Sequence, residues 1–290
     1  MKERTTFLEG DSSLEDEDFQ QLVDESALEK SKLELPRGYL SVSQVNMYMR
    51  CGFQYENRYV NNKVAPPGVS MVEGSSMHKS LEVGLREKKD KGTVAPVSVM
   101  LDAWHDYWKE GKKEVVDWGD EGAQKFERLV TIRASKFVHM YHADYLPNTN
   151  PLDIEKRSYA MVGKHRIPVL GYIDLIDQEN TDLINGRVVV DHKVVRSAKS
   201  QSDADNDLQL TLYSYMENTR SVRFDCFVKS KLAKIKTVSS HRTQKDIDWM
   251  FKIFDNVALN ISAGIFMPGD PTSWACSKKY CGYYNSCRGK

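Results

Sequence analysis

Asp191-His192-Lys193 closes the apolar run Val188-Val189-Val190. On a strand, residues two apart share a face, so Asp191 and Lys193 project together and His192 points away. A carboxylate that holds a cation beside an ammonium suits phosphodiester hydrolysis. The cation activates water and neutralises the phosphate, while the amine positions the nucleophile or screens developing charge. The same acid-x-lysine spacing recurs at Glu87 and Lys89 and at Glu110 and Lys112. Both sit in polar or helical surroundings where a solvated salt pair is the simpler reading.

Three further groups share that chemistry. In Gly171-Tyr172-Ile173-Asp174 a carboxylate interrupts an apolar stripe, with Tyr172 and Ile176 expected on its face. A buried carboxylate needs a cation or donors nearby; a solvated edge aspartate is the bland alternative. If the two strands pair as a hairpin, Asp174 and Asp191 converge on one ion, and oxygen ligands favour Mg²⁺ or Mn²⁺. In Gly74-Ser75-Ser76-Met77-His78 a glycine and a histidine lie one helical turn apart. The glycine is expected to let the helix approach the sheet closely, and the imidazole to face the carboxylates; a hydrogen-bonded structural histidine is the alternative. Gln209 and Tyr213, four apart, share a helical face after the lysine strand.

The cysteines form a separate pattern. Cys51 stands alone near the front, and Cys276, Cys281 and Cys287 crowd the end. They can close a four-thiolate site only if the two ends of the fold meet, and thiolates suit an iron–sulfur cluster or zinc over magnesium or calcium. A disulfide is the alternative. Cys226 alternates with Phe224 and Val228 and reads as a buried apolar residue.

The elements that must carry these residues follow from periodicity. A fold beginning near Leu40 opens with a helix behind a Ser41–Gln44 capping box, with Val45, Tyr48, Met49 and Gly52 at helical spacing and Cys51 inside it. A second helix from about Met71 carries Met77, Leu81 and Leu85 inward. Helical patterning fills 97–145, with Leu101, Trp104 and Trp108 on one face and Phe126, Leu129, Ile132 and Phe137 later. Core packing is the simpler role for Trp104 and Trp108, although with Tyr107 they invite base stacking. Strands are expected at 154–162, 167–177 and 187–194, with a turn at Asn185-Gly186. A helix at 203–216, strands at 222–229 and 233–238, and a helix at 244–263 follow. The order predicts a mixed α/β sheet flanked by helices, with a helical insertion at about 95–148.

Composition narrows the class. The 290 residues carry no net charge, yet residues 1–35 hold 11 acidic and 4 basic side chains. An acidic leader over 1–38 is expected to be mobile, either a solvated tail or an arm competing with nucleic acid for a basic groove. The remaining body is mildly basic, compatible with a phosphate-backbone ligand. No apolar stretch has membrane length, so a cytoplasmic setting is expected.

Glycine-x3-histidine, Gly-x-x-Asp, Asp-x-Lys and Gln-x3-Tyr in this order resemble the RecB-type branch of the PD-(D/E)XK nucleases. With the early cysteine and late triplet, and Ser41, Ser43, Tyr48 and Tyr55 around the opening helix, the chain resembles its iron–sulfur members. These are CRISPR-associated single-domain exonucleases, AddB-type nuclease domains and phage exonucleases. The resemblance covers residues 39–290, including a cysteine segment at about 270–290. It implies His78, Asp174 and Asp191 as metal ligands, with the His192 carbonyl as a further one. It implies Lys193 as the catalytic lysine, and Gln209 and Tyr213 as residues that orient it and touch the substrate. It also implies Cys51, Cys276, Cys281 and Cys287 as ligands of a [4Fe–4S] cluster. Two departures leave Zn²⁺ open: four residues separate Cys276 from Cys281, where the family commonly has two, and Gly52 stands where a proline is common. The implied function is an exonuclease acting on single-stranded DNA or DNA ends. The setting is bacterial or phage-encoded, with recombination or CRISPR adaptation proteins as partners. A DNA-binding or recombination partner with a lapsed site and a zinc-stabilised interaction module are the rival readings.

Overall fold

A computed structural model describes residues 33–115, 118, 122–179, 186–230 and 232–288. The acidic leader over 1–32 and Asn185 of the expected turn lie outside the described residues. Leu33 and Leu35, assigned to the leader, pack against the core, and the Glu34 N–H donates to Ser262 Oγ at 3.1 Å.

Five strands form one sheet in the order of the chain: β1 (Pro151–Val162), β2 (Ile167–Gln178), β3 (Arg187–Val195), β4 (Ser221–Val228) and β5 (Lys234–His241). All neighbours are antiparallel except β3 and β4. A parallel pair needs a crossover, and helices fill it here. The mixed α/β sheet expected from the sequence is therefore present. The single helix expected over 203–216 is two, α6 (Gln201–Asp205) and α7 (Leu208–Met216), once the earlier helices are counted. Asp207 is extended between them, and its carboxylate accepts from the Leu210 N–H at 2.9 Å. A short acidic side chain favours such a cap over a helix interior.

The earlier helices are α1 (Val42–Arg50), α2 (Gly52–Tyr55), α3 (Val69–Lys91), α4 (Val97–Gly111) and α5 (Ala123–Met140); α8 (Gln244–Ser262) and α9 (Tyr284–Cys287) close the chain. Ser41 caps α1 by accepting from the Gln44 N–H at 3.3 Å. Cys51 lies outside α1, in extended conformation between α1 and α2, so the expected continuous helix is broken at the cysteine itself. Met49, placed at helical spacing with Val45, is exposed, whereas Val45 is buried. On α5 the inward stripe is Val130, Ala134, Phe137 and Val138, whereas Leu129 and Ile132 face out. The sequence offers two overlapping stripes at helical spacing, and the neighbouring helices select between them.

Each face of the sheet buries its own core. One gathers α1, α7 and α8 around Val189, Phe224, Cys226 and Phe254; the other gathers α3, α4 and α5 around Leu175, Val190 and Phe227. Cys226 is fully buried, as its alternation implied. Trp104 and Trp108 are also buried and stack on one another at 5.5 Å, so they are core residues.

Candidate active site

Strand β3 delivers its residues with regular alternation. Val188 and Val190 enter the second core and Val189 the first, so Asp191 and Lys193 fall on the α7 side. Lys193 Nζ donates to Asp191 Oδ1 at 3.0 Å and to Gln209 Oε1 at 3.1 Å. Gln209 Nε2 in turn donates to the Tyr213 hydroxyl at 3.1 Å. Four sequence-predicted residues thus form one hydrogen-bonded chain that fixes the ammonium. Helix α7 is itself anchored by the buried Arg242, which donates to Thr211 Oγ1 at 2.7 Å and to the Ala204 carbonyl at 2.6 Å. Gly171 makes room for this arrangement: a Cβ there would stand 2.5 Å from Tyr213 Cε1. That contact gives the glycine of Gly-x-x-Asp a steric reason.

Gly74 behaves otherwise. A Cβ at Gly74 would meet nothing within 4 Å, so the expected close approach to the sheet is absent. It borders an open cavity instead. Its neighbour His78 does reach the carboxylates, with Nδ1 3.3 Å from Asp174 Oδ1 and 4.0 Å from Glu155 Oε1. Asp174 Oδ2 accepts from the His192 N–H at 2.7 Å.

Glu155 was not foreseen. It occupies β1 opposite Asp174 with φ of 47°, a left-handed backbone that is costly for glutamate. Ile173 joins the first core but Leu175 joins the second, so strict alternation along β2 also fails at Asp174. This distortion turns two acidic side chains toward His78. Among the described residues, only His78, Glu155 and Asp174 bring three such ligand atoms within 4.8 Å of one another. Asp191, predicted as a third ligand, is outside that tight group. No local pattern marks Glu155; one acid in a strand with Asp153 and Lys156 reads as solvated surface.

The electrostatics follow from crowding. Burial raises Glu155 to about 7, helped by the charge on Asp174 and opposed by His78. Burial likewise raises Asp191 to about 6, with Lys193 opposing and Asp174 adding. Burial pulls His78 down, but Asp174, Glu155 and Asp191 together lift it to about 9. Asp174 is lowered despite its burial, chiefly by His78. Buried against Tyr141 and Phe227, His192 is lowered to about 4 and stays neutral. Its ring points away from Lys193, as expected.

A family model for the PD-(D/E)XK nuclease superfamily matches residues 39–288. The chain belongs to that superfamily. Among curated proteins none matches the sequence. Two solved structures are similar to this PD-(D/E)XK protein. One is the crystal structure of SSO0001, 10% identical, covering 96% of each chain with a TM-score of 0.39. The other is a Eubacterium rectale protein provisionally described as an exonuclease, 13% identical, covering 82% of this chain and 87% of its own with a TM-score of 0.49. At these scores neither likeness bears on the chemistry.

PD-(D/E)XK nucleases use divalent metals, and the residues present fit one. The donors are two carboxylates and an imidazole, oxygen and nitrogen ligands whose atoms lie close enough to share one divalent ion. Asp191 Oδ2 is buried without a well-formed hydrogen bond, although Lys193 Nζ lies 2.8 Å away. His78 must lose its proton to ligate.

The cysteines of this PD-(D/E)XK protein are less settled. Cys51, Cys276, Cys281 and Cys287 line one cavity. Burial raises the Cys287 thiol, and the other three add to it. Gly52 lets the two ends cross: its N–H donates to the Met267 carbonyl at 2.7 Å, and a Cβ would stand 2.6 Å from Met267 N. A proline could not make that bond. Yet no three of the thiols come within 4.8 Å of one another, whereas a zinc tetrahedron with Zn–S of about 2.3 Å requires it. A shared cavity is present, not an assembled metal shell.

Proposed function

We propose that the chain is a metal-dependent deoxyribonuclease, most naturally an exonuclease acting on single strands or DNA ends. The observation that carries this reading is the Asp191–Lys193–Gln209–Tyr213 chain set beside His78, Glu155 and Asp174. His78, Asp174, Glu155 and Asp191 are the residues that would hold Mg²⁺ or Mn²⁺, with the His192 carbonyl as a further donor. Such an ion supplies water activation and phosphate neutralisation. Lys193 is held by Asp191 and Gln209 where an attacking water or a phosphate oxygen would lie, so its charge is in place before substrate arrives. Gln209, pinned by Tyr213, keeps the ammonium from collapsing wholly onto Asp191.

The finer reading of the cysteines is a structural [4Fe–4S] cluster, supported by the cavity that all four line; zinc is the alternative. Either group would tie α1 and α2 to the closing segment, away from the reacting phosphate. The test uses end-labelled single strands and duplexes, blocked at either end, with Mg²⁺, Mn²⁺ or EDTA. Ion-dependent shortening that one end-block abolishes is expected. DNA left intact with both ions overturns the enzyme reading, and binding without cleavage would make the chain a DNA-binding protein. An iron-free, zinc-loaded preparation made without oxygen overturns the cluster.

A further inference from the structure

The metal site opens on two sides. Toward α3 and α4 lies a cavity of ≈ 550 Å³ bordered by His78, Lys79, Tyr107 and Lys193. On the other side lies a larger cleft of ≈ 900 Å³. Its inner end is formed by Tyr172, Gln209 and Tyr213, and its outer rim by Arg37, Arg50 and Arg58. Those three arginines face a single carboxylate, Glu155, in a chain whose formal charge is otherwise balanced. A lining of that sign concentrates phosphate.

Arg50 extends the basic cleft outward. It borders the cysteine cavity as well, and its guanidinium lies 6.0 Å from the Trp274 ring. Trp274 is 67% exposed and meets Tyr280 edge-on at 5.3 Å. Trp104 and Trp108 are spent in the core, so Trp274 is the indole that faces solvent beside this cation. At the inner end Tyr172 is also exposed, at 40%. An exposed phenol within the arginine-lined cleft and an exposed indole beside Arg50 match a polymer that alternates flat bases with phosphates.

Resting on the nuclease reading, we propose that this cleft is the entry track for single-stranded DNA. Bases stack on Trp274 at the mouth and on Tyr172 near the metal, and Arg50 and Arg58 contact the phosphates between. A duplex does not suit it. Duplex bases are already stacked on one another inside the helix and leave no free face along the strand for Trp274 or Tyr172.

Binding of fluorescein-labelled oligo(dT) to the full chain, read by anisotropy in EDTA, tests the track without cleavage. Trp274→Ala is expected to weaken binding about ten-fold, with Trp274→Phe recovering most of it. Arg50→Ala is expected to flatten the slope of log K against log salt by about 0.7, the share of one phosphate contact on a single strand. Tyr172→Ala carries the stacking expectation from the other end of the cleft, far from the cysteines. Melting curves confirm that each variant is folded. The track is overturned if the tryptophan, arginine and tyrosine variants bind oligo(dT) as wild type does, or if blunt duplex binds equally well with the same dependence on these residues. Hydrolysis of thymidine 5′-(p-nitrophenyl phosphate) by wild type with Mn²⁺ probes the nuclease reading separately. Its failure would remove the enzyme while the anisotropy still decides the track.

Discussion

The two groups of ligand-type residues differ in what holds them. The carboxylate–lysine site stands on the neighbouring strands β1, β2 and β3 and on helices α3 and α7. Asp191 and His192 are nearly inaccessible, and the His192 N–H and the Lys193 ammonium are tied to neighbours before any ion arrives. The cysteine cavity is framed by the end of α1, two four-residue helices (α2 and α9) and turns, with Cys287, Trp274 and Tyr280 exposed. Among the described residues, its sulfurs receive a 3.2 Å contact from the Gly269 N–H and a 3.8 Å contact from Arg288. One site is preorganised by the fold; the other is a shared cavity with few ties among its sulfurs.

The largest effect should come from the preorganised site. Lys193→Ala is expected to lower kcat on the order of 10²–10³-fold, measured on end-labelled DNA. Mn²⁺ binding by calorimetry should not weaken, because Asp191 loses a competing cation. Cleavage unchanged by the substitution would mean the lysine is only a salt-bridge partner. The cysteine region should respond in the opposite way. Replacing both Cys276 and Cys281 by serine is expected to speed proteolytic nicking within 270–288 on the order of ten-fold. It should also strip any iron or zinc while the sheet keeps its melting transition. Equal protease resistance in the mutant would erase the contrast between the regions.

A smaller effect is expected at Gly171, whose added Cβ would lie 2.5 Å from Tyr213 Cε1. Gly171→Ala should destabilise by about 1–3 kcal/mol through overpacking, read from denaturant midpoints. Tyr213→Leu in the same chain should restore stability but not activity. If Gly171→Ala costs nothing, the ring is not held where it is described.

The smallest effect concerns pH. Glu155 and Asp191 are raised to about 7 and about 6. Between the ordinary carboxyl range and those values the folded, metal-free protein holds more protons than the unfolded chain, so stability falls as pH rises. His78, raised to about 9, adds stability that is complete below its ordinary value and lost as pH rises through about 9. Without metal, Tm should decline from about pH 5 to pH 9, more shallowly below the ordinary histidine value, where His192, lowered to about 4, opposes the carboxylates. Glu155→Gln should flatten the lower half, and Mn²⁺ should raise Tm most at the alkaline end. A flat metal-free profile would show that the carboxylates are not crowded.

Much of this was legible because the sheet is buried and regular. The β3 run of valines fixed both the strand and the side on which Asp191 and Lys193 emerge, and four-residue spacing paired Gln209 with Tyr213. Chain reversals and left-handed backbone were not legible. Glu155 reaches the site only through its φ of 47°, which no residue type there announces. Cys51 looked helical because its neighbours are spaced as helix, yet the crossing segment at Met267 pulls it into extended form. The stripe on α5 shifted by one residue because Leu129 and Val130 are both apolar, and only packing separates them.

Three hydrogen bonds that close the two ends have a kinetic meaning. Tyr48 to Ile265, Cys51 to Gly269 and Lys63 to Tyr283 join residues 217, 218 and 220 positions apart. Contacts so distant in the chain are entropically slow to find, whereas the β1–β2 hairpin closes locally. Joining these distant stretches therefore carries the larger loop-closure cost, while Asp174 and Asp191 are brought together by neighbouring strands. The wall around Arg50 is a lap joint between distant parts of the chain, laid over working parts that pair locally.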